Sequence, residues 1–305
     1  MLRSIITGVI DIKAENVNQD VQIINSYENY NRLLEGDDYK IDAKDPLNDE
    51  NEITNYTEIK IDNQPINFAF TYKFDQKKSY KIEYSFDERL TKANCMFSNC
   101  ELLTELDFSQ FNNGNLTGMF GMFDECHSLK ILNLSVLNTQ NVKNMSGMFM
   151  NCESLTNLDL SNFNTQNVTN MASMFAGCES LTNLNISNFN TQNVTDMSTI
   201  FHGCKSLKEL ELSHFNTQNV TKMLGMFSGC ESLKKLDLSN FNTQNVTNMC
   251  SMFNYCHSLT NLDLSNFNIQ NVNNMDFMFC DCKSLKKENI ITNVKKILKQ
   301  YIKKH

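Results

Sequence analysis

Eight cysteines stand at one interval: Cys100, Cys126, Cys152, Cys178, Cys204, Cys230, Cys256 and Cys282, each 26 residues after the last. A fixed period of that length is the signature of a stacked repeat, in which each unit buries its apolar face only against its neighbours. A typical unit runs from Cys152 through Leu155, Leu158, Leu160, Phe163, Val168, Met171, Met174 and Phe175. The last unit decays, with Glu288 where Leu158 stands and Asn293 where Phe163 stands.

Two apolar periods alternate inside the unit. Leu158-x-Leu160 has the spacing of a short strand with one buried face. Val168-x-x-Met171-x-x-Met174-Phe175 has a spacing of three, which predicts one or two turns of helix. Asn164-Thr165-Gln166-Asn167 between them supplies the turn where Pro and Gly are absent. The Asn column that includes Asn164 is expected to satisfy backbone groups from coil to coil.

The segment LTNLDLSNFNTQNVTNMASMFAGCES at 155–180, recurring from about 95 to 285, resembles the BspA-like leucine-rich repeat family of bacterial and protist surface proteins. The resemblance implies a curved parallel sheet, no catalytic residues, and roles in adhesion or protein recognition. The expected fold is therefore an α/β solenoid of leucine-rich repeats with short convex helices, preceded by a small antiparallel β domain.

The expected organisation has three parts. Residues 1–94 form a β-rich capping domain, with strands at 4–10, 20–25, 57–61, 66–74 and 79–86. The last two carry alternating aromatic rows and are joined by Asp75-Gln76-Lys77-Lys78, which predicts a hairpin. An acidic stretch at about 35–55 is expected to be a loop. Residues 95–285 form the repeat, and 286–305 a basic amphipathic helix with Ile290, Val294, Ile297, Leu298 and Tyr301 on one stripe. That helix is expected to close the end of the stack, with membrane contact as the alternative.

Composition excludes several classes. A net charge of -8 argues against a nucleic-acid binder, and no apolar run approaches the ~20 residues of a membrane span. No secretion signal is visible after the start at MLRSIITGVIDIK, which points to the cytoplasm, whereas the family resemblance points to the cell surface. The repeat cysteines are read as small buried side chains, ahead of disulfides or a metal row. Neither the five histidines nor any glycine-rich or nucleophile motif forms a catalytic pattern, so no enzyme activity, cofactor or metal is expected.

The favoured function is non-enzymatic protein recognition or adhesion through the solenoid surface, and the alternative is a structural, self-assembling repeat. The outward strand positions, such as Thr156, Asn157, Asp159 and Ser161, would form the recognition face. One column between the inward leucines reads Asp107, Asn133, Asp159, Asn185, Glu211, Asp237 and Asp263, with no base. Its acids Asp107, Asp159, Glu211, Asp237 and Asp263 are the candidate site, expected to meet a cationic protein surface.

Overall fold

The computed structural model describes residues 3–33, 50–112 and 114–302. Its coils stack on one another, but the continuous backbone ladder is not on the leucine face. It runs along the methionine–phenylalanine segment. Parallel bridges join Lys92, Gly118, Asn144, Asn170, Asp196, Lys222, Asn248 and Asn274 in unbroken succession. At each step alternate N–H groups donate to the next coil: Met145 to Asn170 O, Gly147 to Ala172 O, Phe149 to Met174 O and Asn151 to Ala176 O, at 2.7–3.1 Å.

This segment was expected to be helical, and it is not. The intervening N–H groups turn back three residues, as in Met148 to Met145 O and Met150 to Gly147 O. Two residues per coil, four apart, hold positive φ, among them Ser173 and Gly177, Thr199 and Gly203, and Gly225 and Gly229. That reversal of handedness stops a helix and frees every second N–H for the neighbouring coil. Glycine suits the column where backbones approach: a Cβ at Gly229 would lie 3.2 Å from the Gly203 backbone. Non-glycine residues such as Thr199 and Phe277 accept the left-handed conformation at about 1–2 kcal/mol each.

Packing under the ladder outweighs that cost. Phe97, Phe123, Phe149, Phe175, Phe201, Phe227, Phe253 and Phe279 are all fully buried and form one column. Successive rings lie 5.5–6.0 Å apart with interplanar angles of 1–11°. These distances exceed the rung spacing of about 4.8 Å, so the rings are slipped sideways into the favoured offset stack. Truncating one buried ring of this size costs about 3–5 kcal/mol.

The cysteine column sits beside the rings, and all eleven cysteines are free thiols. The seven repeat thiols from Cys126 to Cys282 each donate to a phenylalanine carbonyl one coil back, as in Cys152 Sγ to Phe123 O at 3.2 Å and Cys178 Sγ to Phe149 O at 3.1 Å. Phe123 O also accepts the Cys126 N–H. Burial pushes the Cys178 and Cys230 thiols up to about 12. A small apolar side chain with one weak donor fits this position.

On the leucine face the sheet is present only in pieces. Ile131–Asn133 pairs in parallel with Leu103–Gln110, Asn157–Asp159 with Asn183–Asn185, and Leu262–Asp263 with Ile290–Ile291. No strand forms at 208–212 or 234–238. The expected continuous sheet is corrected accordingly.

In the N-terminal region, Ser4–Asp11 pairs antiparallel with Leu103–Gln110, so one six-stranded sheet runs from this region into the first two coils. The expected hairpin of 66–74 with 79–86 does not form. Both edges of Ser79–Phe86 are taken, by Ser4–Asp11 and Thr57–Ile61, and Thr71–Lys73 pairs instead with Asp20–Gln22. The hairpin actually present joins Thr57–Ile61 to Gln64–Ile66 through Asp62-Asn63, both at positive φ as a two-residue turn requires. Of the stretch 35–55 expected as a loop, residues up to 49 lie outside the described residues. Glu50–Tyr56 is a helix that buries Ile53.

The helix Tyr27–Leu33 docks on the second coil. Tyr30 Oη donates to Asp124 Oδ2 at 2.7 Å, and burial, with Glu125 adding, lifts the Asp124 carboxyl to about 7. Before it, Asn25 closes the carbonyl end of the ladder, donating its N–H to Met96 O and Nδ2 to Ser98 O.

At the other end the helix is shorter than the stripe implied, Lys295–Ile302. Ile290 belongs to a strand, and its partner is Leu262, 28 residues earlier. Two extra residues in the last unit therefore account for Glu288 standing in a leucine position. Ile297 is fully buried, and Val294, Leu298 and Tyr301 pack on the same core.

Burial separates two leucines of one coil that the sequence treats alike. Leu181 is fully buried, but Leu184 is only half-buried. Leu181→Asp should cost several kcal/mol as an unpaired buried charge. Leu184→Asp should cost much less, and the exposed Asn183→Asp little. Thermal melts of the three variants check the order, and equal losses at 181 and 184 would contradict it.

Candidate functional site

A cavity of about 990 Å³ opens on the leucine face across four coils. Its walls come from Asn157–Asp159, Thr182–Asn185, Lys208–Glu211 and Lys234–Asp237. It lies where the strand pairing lapses. No backbone hydrogen bond joins Asn183–Asn185 to Glu209–Glu211, or Glu209–Glu211 to Lys235–Asp237. Leu184 and Leu210 are half-buried in its floor.

The candidate acids are divided by this geometry. Asp159, Glu211 and Asp237 line the groove. Asp107 lies at a second cavity of about 520 Å³, between the N-terminal sheet and the first coils. Asp263 lines neither.

All of them share a local task. The side-chain oxygen of each accepts the N–H of the serine two residues on: Ser109 to Asp107, Ser161 to Asp159, Ser213 to Glu211, Ser239 to Asp237 and Ser265 to Asp263, at 2.8–3.0 Å. Asn133 and Asn185 accept in the same way from Ser135 and Ser187. The column needs an oxygen acceptor to close the turn after the strand, which accounts for Asp, Asn and Glu and for the absence of bases. These serine bonds hold the Asp159, Glu211, Asp237 and Asp263 carboxyls below their ordinary values.

The asparagine column divides the expected work with its neighbours. Asn164 Oδ1 accepts the Gln166 N–H inside its own coil. Contact between coils passes through Thr165, whose buried hydroxyl donates to Asn190 O and accepts Asn190 N–H, and through Asn167 Nδ2, which donates to Gln140 O.

Sequence reasoning did not assign the basic side of the groove. Where other coils carry Thr156-Asn157, Thr182-Asn183 and Thr260-Asn261, two consecutive coils carry Lys208-Glu209 and Lys234-Lys235. That departure from the template was the available signal.

Three overlapping stretches, 64–184, 91–209 and 179–294, match the model of a family described as "Mycoplasma protein of unknown function, DUF285". Together they cover well over half of the 305 residues. The chain belongs to the DUF285 family. The DUF285 match spans the whole ladder and both walls of the groove. The chain is also similar to the leucine-rich repeat protein of T. pallidum seen in a crystal structure, with a TM-score of 0.37 and 17% identity, over 70% of this chain and 76% of that one. No curated protein matches the chain. Repeat character is thus common to the sequence period and the family match.

Turn capping predicts a graded response at Asp237. Asp237→Asn keeps the oxygen acceptor and should melt close to the parent at pH 7, whereas Asp237→Ala should melt lower. The carboxyl is held below its unfolded value of about 4, so its contribution is present above that pH and lost as pH falls through the folded value. The parent's margin over Asp237→Asn should therefore vanish on acidification. Melts of the three proteins from pH 7 to 3 check this, and equal losses for Asn and Ala would contradict it.

Proposed function

We propose that this chain is a non-catalytic recognition scaffold that binds protein on the leucine face, within the groove between coils 157–159 and 234–237. The observation that carries the reading is the coincidence of this cavity of about 990 Å³ with the two successive coils, 208–212 and 234–238, that form no strand. Stacked repeats present extended faces of this kind, and a groove with a half-buried apolar floor and polar walls suits a macromolecular segment. The resemblance to BspA-like repeats supports a role in adhesion where the chain is displayed at a cell surface. Among the described residues no helix is long and apolar enough to cross a membrane.

The acids Asp107, Asp159, Glu211, Asp237 and Asp263 each cap a turn, whatever part they take in binding. Asp159, Glu211 and Asp237 are the three of them that line the groove.

The reading is tested by charge placement. Thr182→Arg with Asn183→Arg, in the groove wall, should abolish specific capture of a partner from extracts of the source cells. Gln192→Arg with Gln218→Arg, on exposed turns outside the groove, should leave it intact. Capture that survives the first pair and fails with the second would move the recognition face elsewhere.

A further inference from the structure

The helix Tyr27–Leu33 is held on the second coil by a small contact of its own. Tyr27, Tyr30, Cys95 and Phe120 form an apolar cluster separate from the core that runs through the stack. The Tyr27 and Phe120 rings meet edge to face at 5.9 Å. Seven residues make about two turns, too short a helix to persist alone in water, so its packing decides whether it stays down.

A carboxyl lies inside that contact. Asp124 is 2% exposed, and its Oδ2 accepts the Tyr30 hydroxyl at 2.7 Å. Its Oδ1 is also buried and has no hydrogen-bond partner. The titratable groups facing it among the described side chains are Tyr30, the buried thiols of Cys95, Cys126 and Cys152, and the Glu125 carboxylate. Glu125 accepts from Asn151 Nδ2 at 2.7 Å and lies 2.9 Å from His127 Nε2. Glu28, on the helix itself, accepts the Glu50 N–H at 2.9 Å. No cation pairs with Asp124 among the described residues. An ionised carboxyl here keeps one oxygen without a donor and pays its full desolvation cost, which the neutral acid largely avoids. Burial, with the Glu125 charge adding, outweighs the Tyr30 hydroxyl and lifts the carboxyl to about 7.

We infer that Tyr27–Leu33 is a proton-dependent latch on the N-terminal end of the stack, docked while Asp124 is neutral and released as Asp124 ionises, which uncovers Cys95 and Phe120. Release also reaches the ladder. Asn29 of the helix donates Nδ2 to Asn25 Oδ1 at 2.7 Å, and Asn25 closes the ladder on Met96 O and Ser98 O. The docked form holds one more proton than the released form between the ordinary carboxyl value of about 4 and the docked value of about 7. Docking is therefore tightest below that window, weakens as pH rises through it and is constant above it.

Hydrogen exchange of the full chain at pH 5, 8 and 9 reads the latch, with each amide rate divided by its intrinsic rate at that pH. Opening is read at Tyr30, whose N–H donates to Ser26 O. It should rise by tens of fold from pH 5 to pH 8 and no further at pH 9. The ladder amides of Phe149 and Phe175 should keep their protection throughout. Under native conditions at pH 8, Cys95 should be alkylated while Cys178, fully buried in the stack, is not. The pH step at Tyr30 should be absent from both Asp124→Asn and Asp124→Ala, whichever of them holds the helix down. Equal protection of Tyr30 in the parent at pH 5 and pH 8 would overturn the latch whatever the variants do. A pH step retained in both variants, or one shared equally by the ladder amides, would overturn it as well.

Discussion

The backbone ladder under the phenylalanine column is the constraint from which the rest of this structure follows. From the methionine onward its alternate N–H groups point from one coil to the next, while the residue before each bridge, such as Thr169, donates back to the preceding coil, and the rings beneath stack at the same repeat. Positive φ at two residues per coil makes this possible, because it turns the intervening peptide units into local turns and leaves alternate ones aligned along the stack. The repeat thiols from Cys126 to Cys282 fit the same frame, each spanning one coil to reach a phenylalanine carbonyl. With the coils held at this face, the leucine face needs no continuous sheet, and pairing there can lapse without separating the coils.

That lapse is where the proposed recognition function attaches to the fold. In an ordinary parallel sheet, 209–211 and 235–237 would spend their backbone groups on each other. Here those groups line a groove, and the coils that form it are the ones whose side chains depart from the template. Both turns and ladder persist through these coils, as Ser213 and Ser239 on their acids and Phe227 on the Met252 carbonyl show. The site is therefore carried by a rigid spine on one side and an open face on the other.

The sequence made the period, the buried columns and several strands legible. Thr57–Ile61 and Ser79–Phe86 agree with the alternation that marks them. The methionine segment misled because spacing of three fits successive turns as well as a helix. Only the glycines and asparagines four apart, such as Gly147 and Asn151, carry the difference. The aromatic rows at 66–74 and 79–86 do share a core, with Phe74 and Tyr80 rings 4.6 Å apart, but shared packing does not make them backbone partners. The acidic column was visible as a pattern, yet its cause lay in a serine two residues away.

Hydrogen exchange tests the central claim most directly, because it reads backbone hydrogen bonds one segment at a time. The ladder amides of Phe149, Phe175, Phe201 and Phe227 should exchange only on global unfolding. The amides of 209–211 and 235–237 should exchange orders of magnitude faster under the same native conditions. Strong protection at 209–211 and 235–237, with fast exchange along the phenylalanine ladder, would place the spine on the leucine face and contradict the account.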